Sequence, residues 1–143
     1  MLSVIIDITE RKRAEERFRL VVEAAPNAMI MTGEQGRIVL ANSQAEALFG
    51  YTRAELAGMS VEMLVPERLR ADHPQSRARF FADPATRAMG AGRDLHALHK
   101  DGTEIPVEIG LNPLRTPDGV FVLSAVIDIT ERKRAESERE RLA

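Results

Sequence analysis

The side chains best suited to ligate a metal or to move a proton near neutral pH are three histidines, His73, His96 and His99, in a chain of 143 residues. His96 and His99 fall within a strand-like run. A separation of three places them on opposite faces of a strand, so they make no natural metal pair and are expected to be solvated. His73 stands apart, followed by Pro74. The chain has no cysteine, which removes thiolate catalysis, disulfides and cysteinyl metal sites together. No nucleophile-base constellation and no phosphate-cradling glycine loop is present, so no catalytic residue is assigned and an enzyme is not expected. The basic runs Arg11-Lys12-Arg13 and Arg132-Lys133-Arg134 are interleaved with Glu10, Glu15, Glu131 and Glu136. Pairing along a helix surface explains them without nucleic acid.

A second kind of chemistry, the capping of a helix, is spaced just as clearly. The nine residues Asp7 to Glu15 return unchanged as Asp128 to Glu136. Upstream, Leu2-Ser3-Val4-Ile5-Ile6 answers Leu123-Ser124-Ala125-Val126-Ile127. A repeat separated by one small domain is the mark of a tandem array. Residues 1–6 are therefore expected to be the last strand of a preceding repeat, 7–25 a linker helix, 26–128 the domain, and 129–143 the start of a second linker helix. The Asp-x-x-Glu form at Asp7–Glu10 and Asp128–Glu131 predicts a capping box at both junctions. Asp7, Glu10, Asp128, Thr130 and Glu131 are accordingly the residues expected to pass movement between sheet and helix.

Composition sets the outer bounds. With 20 basic and 22 acidic side chains the net charge is −2, which gives nucleic acid no electrostatic footprint. No apolar run approaches the ~20 residues of a membrane span, and no signal-peptide pattern opens the chain. A soluble, cytoplasmic chain without direct membrane contact is expected.

The elements that must position these residues follow from periodicity. Ile8, Ala14, Phe18, Val21, Val22 and Ala25 form an apolar stripe before Pro26. The stripe needs a partner, and a parallel homodimer through Ile8, Phe18, Val21 and Val22 would supply one. Ala28–Thr32 and Arg37–Ala41 flank Glu34-Gln35-Gly36 and predict a hairpin. Asn42 is placed to cap a helix over Ser43–Phe49 that Gly50 ends, and Arg53–Ala57 predicts a second short helix closed by Gly58. A further helix is expected from His73-Pro74 to Asp83-Pro84, with proline tolerated in the first turn. Met89–Lys100 reads as one long strand, Thr103–Leu114 as its partner across Asp101-Gly102, and Val120–Ile127 as a covered central strand. Two strands, small helices and a three-stranded meander predict an α+β domain with helices on one face of an antiparallel sheet.

These pieces together resemble a PAS domain. The likeness is carried by Ala25-Pro26-Asn27-Ala28, Ile38-Val39-Leu40-Ala41-Asn42 followed by Ala45 to Thr52, Glu55-Leu56-Ala57-Gly58, Val65-Pro66-Glu67, Lys100-Asp101-Gly102-Thr103, and Asp128-Ile129-Thr130. The resemblance implies a five-stranded antiparallel sheet in the order 2-1-5-4-3, with a hollow between its inner face and the small helices. It also implies a sensory module whose flanking helices join adjacent PAS modules and an output domain, such as a histidine kinase or a diguanylate cyclase.

Within the PAS domains, Val65 to His73 also looks like the corresponding stretch of FixL-type haem oxygen sensors, although Pro74 departs from that pattern. That likeness implies His73 as the proximal ligand of haem iron, Arg79 as a propionate partner, Arg93 as the gas-responsive group, and Ile109 and Leu111 as the aliphatic residues over the ligand. Arg93 has Glu108 and Asp94 as alternative partners. Flavin is disfavoured, because the family's flavin sensors resemble one another in cysteine or tryptophan that this chain lacks. A hollow filled by its own side chains, or one holding a small ligand, is expected ahead of haem.

Overall fold

The computed structural model describes residues 2–71, 73–82, 87–89 and 95–142, with side chains for all of these except residues 2–7, 79 and 87–89. The chain starts with a helix, α1, Leu2–Ala24. Residues 2–6, expected as a strand, are therefore helical. A strand must share its backbone hydrogen bonds with a neighbour, and among the described residues every strand is paired elsewhere; a helix satisfies the same groups internally. The segment Asp7–Glu10, expected at a helix start, consequently falls inside α1.

Pro26 keeps the chain from continuing as helix, and β1 (Ala28–Thr32) and β2 (Ile38–Ala41) form the expected hairpin, with Ile30 opposite Ala41. Gly36, at φ 81°, makes the turn. Asn42 then caps α2 (Ser43–Phe49) and Gly50, in the left-handed region, ends it. α3 (Arg53–Leu56) is held by a reciprocal capping box between Thr52 and Glu55. Residues 58–61 run along the free edge of β2: Gly58 N–H donates to Ile38 O at 2.8 Å, Ile38 N–H to Met59 O at 2.9 Å, and Val61 N–H to Gly36 O at 2.8 Å. That covers an edge which would otherwise present unpaired backbone groups. Two 3₁₀ turns, Val61–Leu64 and Glu67–Leu69, lead to α4 (His73–Ala82), whose first turn contains Pro74.

The remaining strands are β3 (Arg87–Met89), β4 (Leu95–Leu98), β5 (Glu104–Thr116) and β6 (Gly119–Asp128), followed by α5 (Thr130–Leu142). The sheet runs β2-β1-β6-β5, with β3 and β4 both paired to the outer edge of β5. Counting β3 and β4 as one outer strand, this is the five-stranded order 2-1-5-4-3. The single strand expected over Met89–Lys100 is nevertheless two. Met89 pairs with Ile109 and Leu95 with Val107, so six steps along one side of the ladder match two along the other. A phase carried across that shift by alternation alone fails.

β6 is central, paired to β1 on one side and β5 on the other, which accounts for its apolar composition on both faces. The core between sheet and helices is built from Ile30, Ile38, Phe49, Leu56, Leu64, Val107 and Val126. Of α1, Val22 is buried, while Ile8, Leu20 and Val21 are exposed. Val22, one of the four residues expected at a dimer contact, thus packs into its own chain. No helix among the described residues is long and apolar enough to cross a membrane.

Candidate functional site

Between α4 and the inner face of the sheet lies a cavity of about 130 Å³. Its walls are mainly apolar, with Ile30, Phe49, Leu64, Phe80 and Val122 among them, and Thr32 and Ser124 add hydroxyl groups on the sheet side. The inward alternation of β1, which buries Ala28, Ile30 and Thr32, puts a polar residue on the cavity floor.

A charged cluster stands behind one wall, with His73 and Arg77 on the cavity itself. Glu62, on the first 3₁₀ turn, accepts from Ser60 Oγ at 2.6 Å and pairs with the guanidinium of Arg77 on α4. His73 Nδ1 lies 3.1 Å from Glu62 Oε1. The side chains are only 16% (Glu62), 19% (Arg77) and 26% (His73) exposed. Burial pushes His73 below its ordinary pKa. Glu62 already answers the charge of Arg77, so a neutral His73 that donates Nδ1–H to the carboxylate leaves the cluster without net charge. Gly36 makes the approach of Arg77 feasible, since a Cβ there would lie 2.5 Å from Arg77 Nη1.

Each end of the module is fastened to the same strands that floor the cavity. Asn42 Oδ1 accepts from Met29 N and Ala45 N, each at 3.0 Å, and Asn42 Nδ2 donates to Val22 O and Asn27 O, each at 2.9 Å. One fully buried amide therefore joins α1, β1 and α2. Glu23 adds a salt bridge to Arg53 at 2.6 Å. At the other end Asp128 Oδ1 accepts from Thr130 N at 2.8 Å and from Thr130 Oγ1 at 2.5 Å. The acceptance from two residues on, rather than three, is an Asx-type turn in place of the expected capping box. Buried Ile129 donates its N–H to Pro106 O at 3.0 Å, and Arg132 pairs with Glu108.

Of the residues singled out by sequence, His73, Ile109 and Leu111 all line the cavity. Arg93 lies outside the described residues, as does the side chain of Arg79. Glu108, offered as a partner for Arg93, is paired with Arg132. Thr130 takes part in the α5 junction, whereas Glu131 and Glu10 are exposed and the side chain of Asp7 lies outside the described set. Ile8 and Val21 are exposed and Phe18 is half-buried.

His96 and His99 depart from the expectation that both are solvated. His96 lines the cavity, and His99 packs over Gly50 and pairs with Asp101 Oδ1 at 3.0 Å. Sequence reasoning missed Glu62, Arg77, Thr32 and Ser124. The buried alternation of β1 carried a signal for Thr32; nothing local marked Glu62 and Arg77 as partners.

A porphyrin was tested against this cavity. An imidazole on a helix with aliphatic side chains nearby is the right donor set. The space is not right, because sites for cofactor-sized ligands occupy roughly 300–1,000 Å³ and this one about 130 Å³. Haem does not fit the arrangement described.

A twisted antiparallel sheet with small helices gathered on one face around a hollow defines a sensor-type α+β module. The PAS domain family matches residues 26–131, and the chain belongs to it. The sensor protein FixL of Bradyrhizobium diazoefficiens is 29% identical over 98% of this chain and 29% of its own length. The oxygen sensor protein DosP of Escherichia coli is 30% identical over 69% of this chain and 12% of its own. The sensor histidine kinase TmoS of Ectopseudomonas mendocina is 29% identical over 86% of this chain and 12% of its own. The chain thus spans less than a third of the length of each of these relatives. Among solved structures, the PAS domain of an HTR-like protein from Haloarcula marismortui superposes with a TM-score of 0.68 at 20% identity, covering 86% of this chain and 98% of that one. That likeness shows the fold.

Proposed function

We propose that this chain is a sensory and regulatory PAS module of a multidomain bacterial signalling protein, which turns a change at its cavity into movement of the helices at its two ends. The single observation that carries the reading is the sharing of strands. Ile30 and Val126 face the cavity; β1 is bonded through Asn42 to α1, and β6 ends at Asp128, which caps α5. Any repacking at the cavity acts on both junctions. A sheet that barely deforms transmits such a change better than a loop would.

In this reading the flanking helices pair with those of a second copy, giving a homodimer, and join adjacent PAS and output domains in the parent protein. Kinase or cyclase activity lies with those domains. The repeated segment Asp7–Glu15 and Asp128–Glu136 supports a serial arrangement. Exposed Ile8 and Val21 support a helix contact outside the module. Sedimentation equilibrium of the whole chain and of residues 26–143 tests this. A dimer that becomes a monomer on removal of residues 1–25 supports the relay, and a monomer in both cases removes it.

The FixL-type alternative, with His73 on haem iron, is tested by the absorption spectrum of untreated protein. A sample without a Soret band is expected, and a band lost in His73→Ala would overturn the volume argument.

A further inference from the structure

Thr32 is a polar residue in an apolar place. It is 2% exposed, lines the cavity, and none of the hydrogen bonds among the described residues uses its hydroxyl. Strand register supplies a neighbour. Thr32 stands opposite Val122 and Ile30 opposite Ser124, so Thr32 and Ser124 are diagonal neighbours on the inner face of β1 and β6. Both hydroxyls border the same space. A hydroxyl that faces an apolar cavity and bonds to none of the described residues is open to a partner among the cavity's contents, a water or a ligand.

The rest of the cavity limits what that partner can be. A volume of about 130 Å³ is that of a single ring, since an apolar cavity near 150 Å³ takes benzene. Charge is restricted as well. Arg77 has its counter-ion in Glu62, with His73 beside the pair, although the buried Nη1 of Arg77 makes no well-formed hydrogen bond. An anion would have to compete with Glu62 for Arg77, and among the described lining residues a cation meets no carboxylate.

We propose that the cavity binds a compact neutral molecule, one ring of about six to eight heavy atoms, bearing a single hydroxyl or carbonyl group hydrogen-bonded to Thr32 with Ser124 beside it. The proposal rests on the sensory reading only for its purpose; the binding itself stands on the cavity.

The test uses the whole chain and three probes, phenol, benzene and benzoate, each titrated while amide resonances are followed. Phenol and benzene are expected to bind and benzoate is not. Thr32→Val, which keeps shape and removes the hydroxyl, is expected to weaken phenol about fivefold to tenfold, the loss of one hydrogen bond, and to leave benzene unchanged or tighter. Ser124→Leu, which fills the floor beside Thr32, is expected to abolish phenol binding. The proposal is overturned if neither phenol nor benzene binds, if benzoate binds as well as phenol, or if Thr32→Val changes phenol and benzene alike. Phenol binding that moves cavity resonances but none in α1 or α5 upholds the ligand class and removes the sensory reading.

Discussion

The side-chain amide of Asn42 donates to the backbone carbonyl of Val22 at 2.9 Å, so the last turn of the leading helix is bonded to the residue that caps the first helix of the module. The same side chain accepts two backbone N–H groups and donates to a second carbonyl. All four of its hydrogen-bonding positions are used at 0% exposure.

Asn42→Ala is therefore expected to cost about 3 kcal/mol, combining the loss of a helix cap with newly unsatisfied buried backbone groups. Urea unfolding measures the total. Amide exchange should also speed up in the last turn of α1, and normal protection there would show that the amide does not hold the helix.

Gly36 and Gly58 form a natural comparison. Both have positive φ, 81° and 82°, but a Cβ at Gly36 meets Arg77 at 2.5 Å whereas one at Gly58 meets nothing within 4 Å. Gly58→Ala should cost about 1 kcal/mol, the conformational share alone. Gly36→Ala should cost about 1 kcal/mol more, because Arg77 must leave its place beside Glu62. Equal losses in thermal or chemical unfolding would show that the guanidinium moves aside freely.

His73 gives the fold a pH dependence of definite sign. Burial lowers its pKa in the folded state, so as pH falls the unfolded chain takes up the proton first, near the ordinary value of about 6.5. The contribution of neutral His73 to stability is complete above that value and declines as pH falls towards its lower folded pKa. The urea midpoint of the native chain should drop between pH 7 and 5 more steeply than that of His73→Gln. Parallel profiles would place the imidazole in solvent.

At the trailing junction, Asp128→Ala removes the acceptor for Thr130 N and Oγ1 and should cost about 1 kcal/mol, as the loss of a helix cap does. Glu108→Ala, which breaks an exposed pair with Arg132, should change stability by at most about 0.5 kcal/mol. In a fusion to a kinase core, Asp128→Ala is expected to blunt output far more than Glu108→Ala. Equal output from both would reduce Asp128 to an ordinary cap.

Much of this was legible in the chain because it is local. Glu34-Gln35-Gly36 marks the hairpin turn, and Asn42 with Gly50 brackets α2. Thr52 and Glu55 form a capping box whose spacing was equally open to reading. The FixL-type likeness singled out His73, Ile109 and Leu111, and all three line the cavity. What escaped depends on distant parts. Glu62 meets Arg77 only because α4 folds back over the first 3₁₀ turn. His96 reaches the cavity across a register shift that alternation does not reveal. Leu2–Ile6 has the pattern of a strand but lacks the neighbours that would make it one.

The chain enters and leaves its body through the same nine residues, both times within a helix or at its first turn. In the serial arrangement proposed above, a following copy would be joined through the strand-to-helix turn at Asp128. Such an array would change length by whole units, each duplication adding one body and one connecting rod of the same nine-residue pattern.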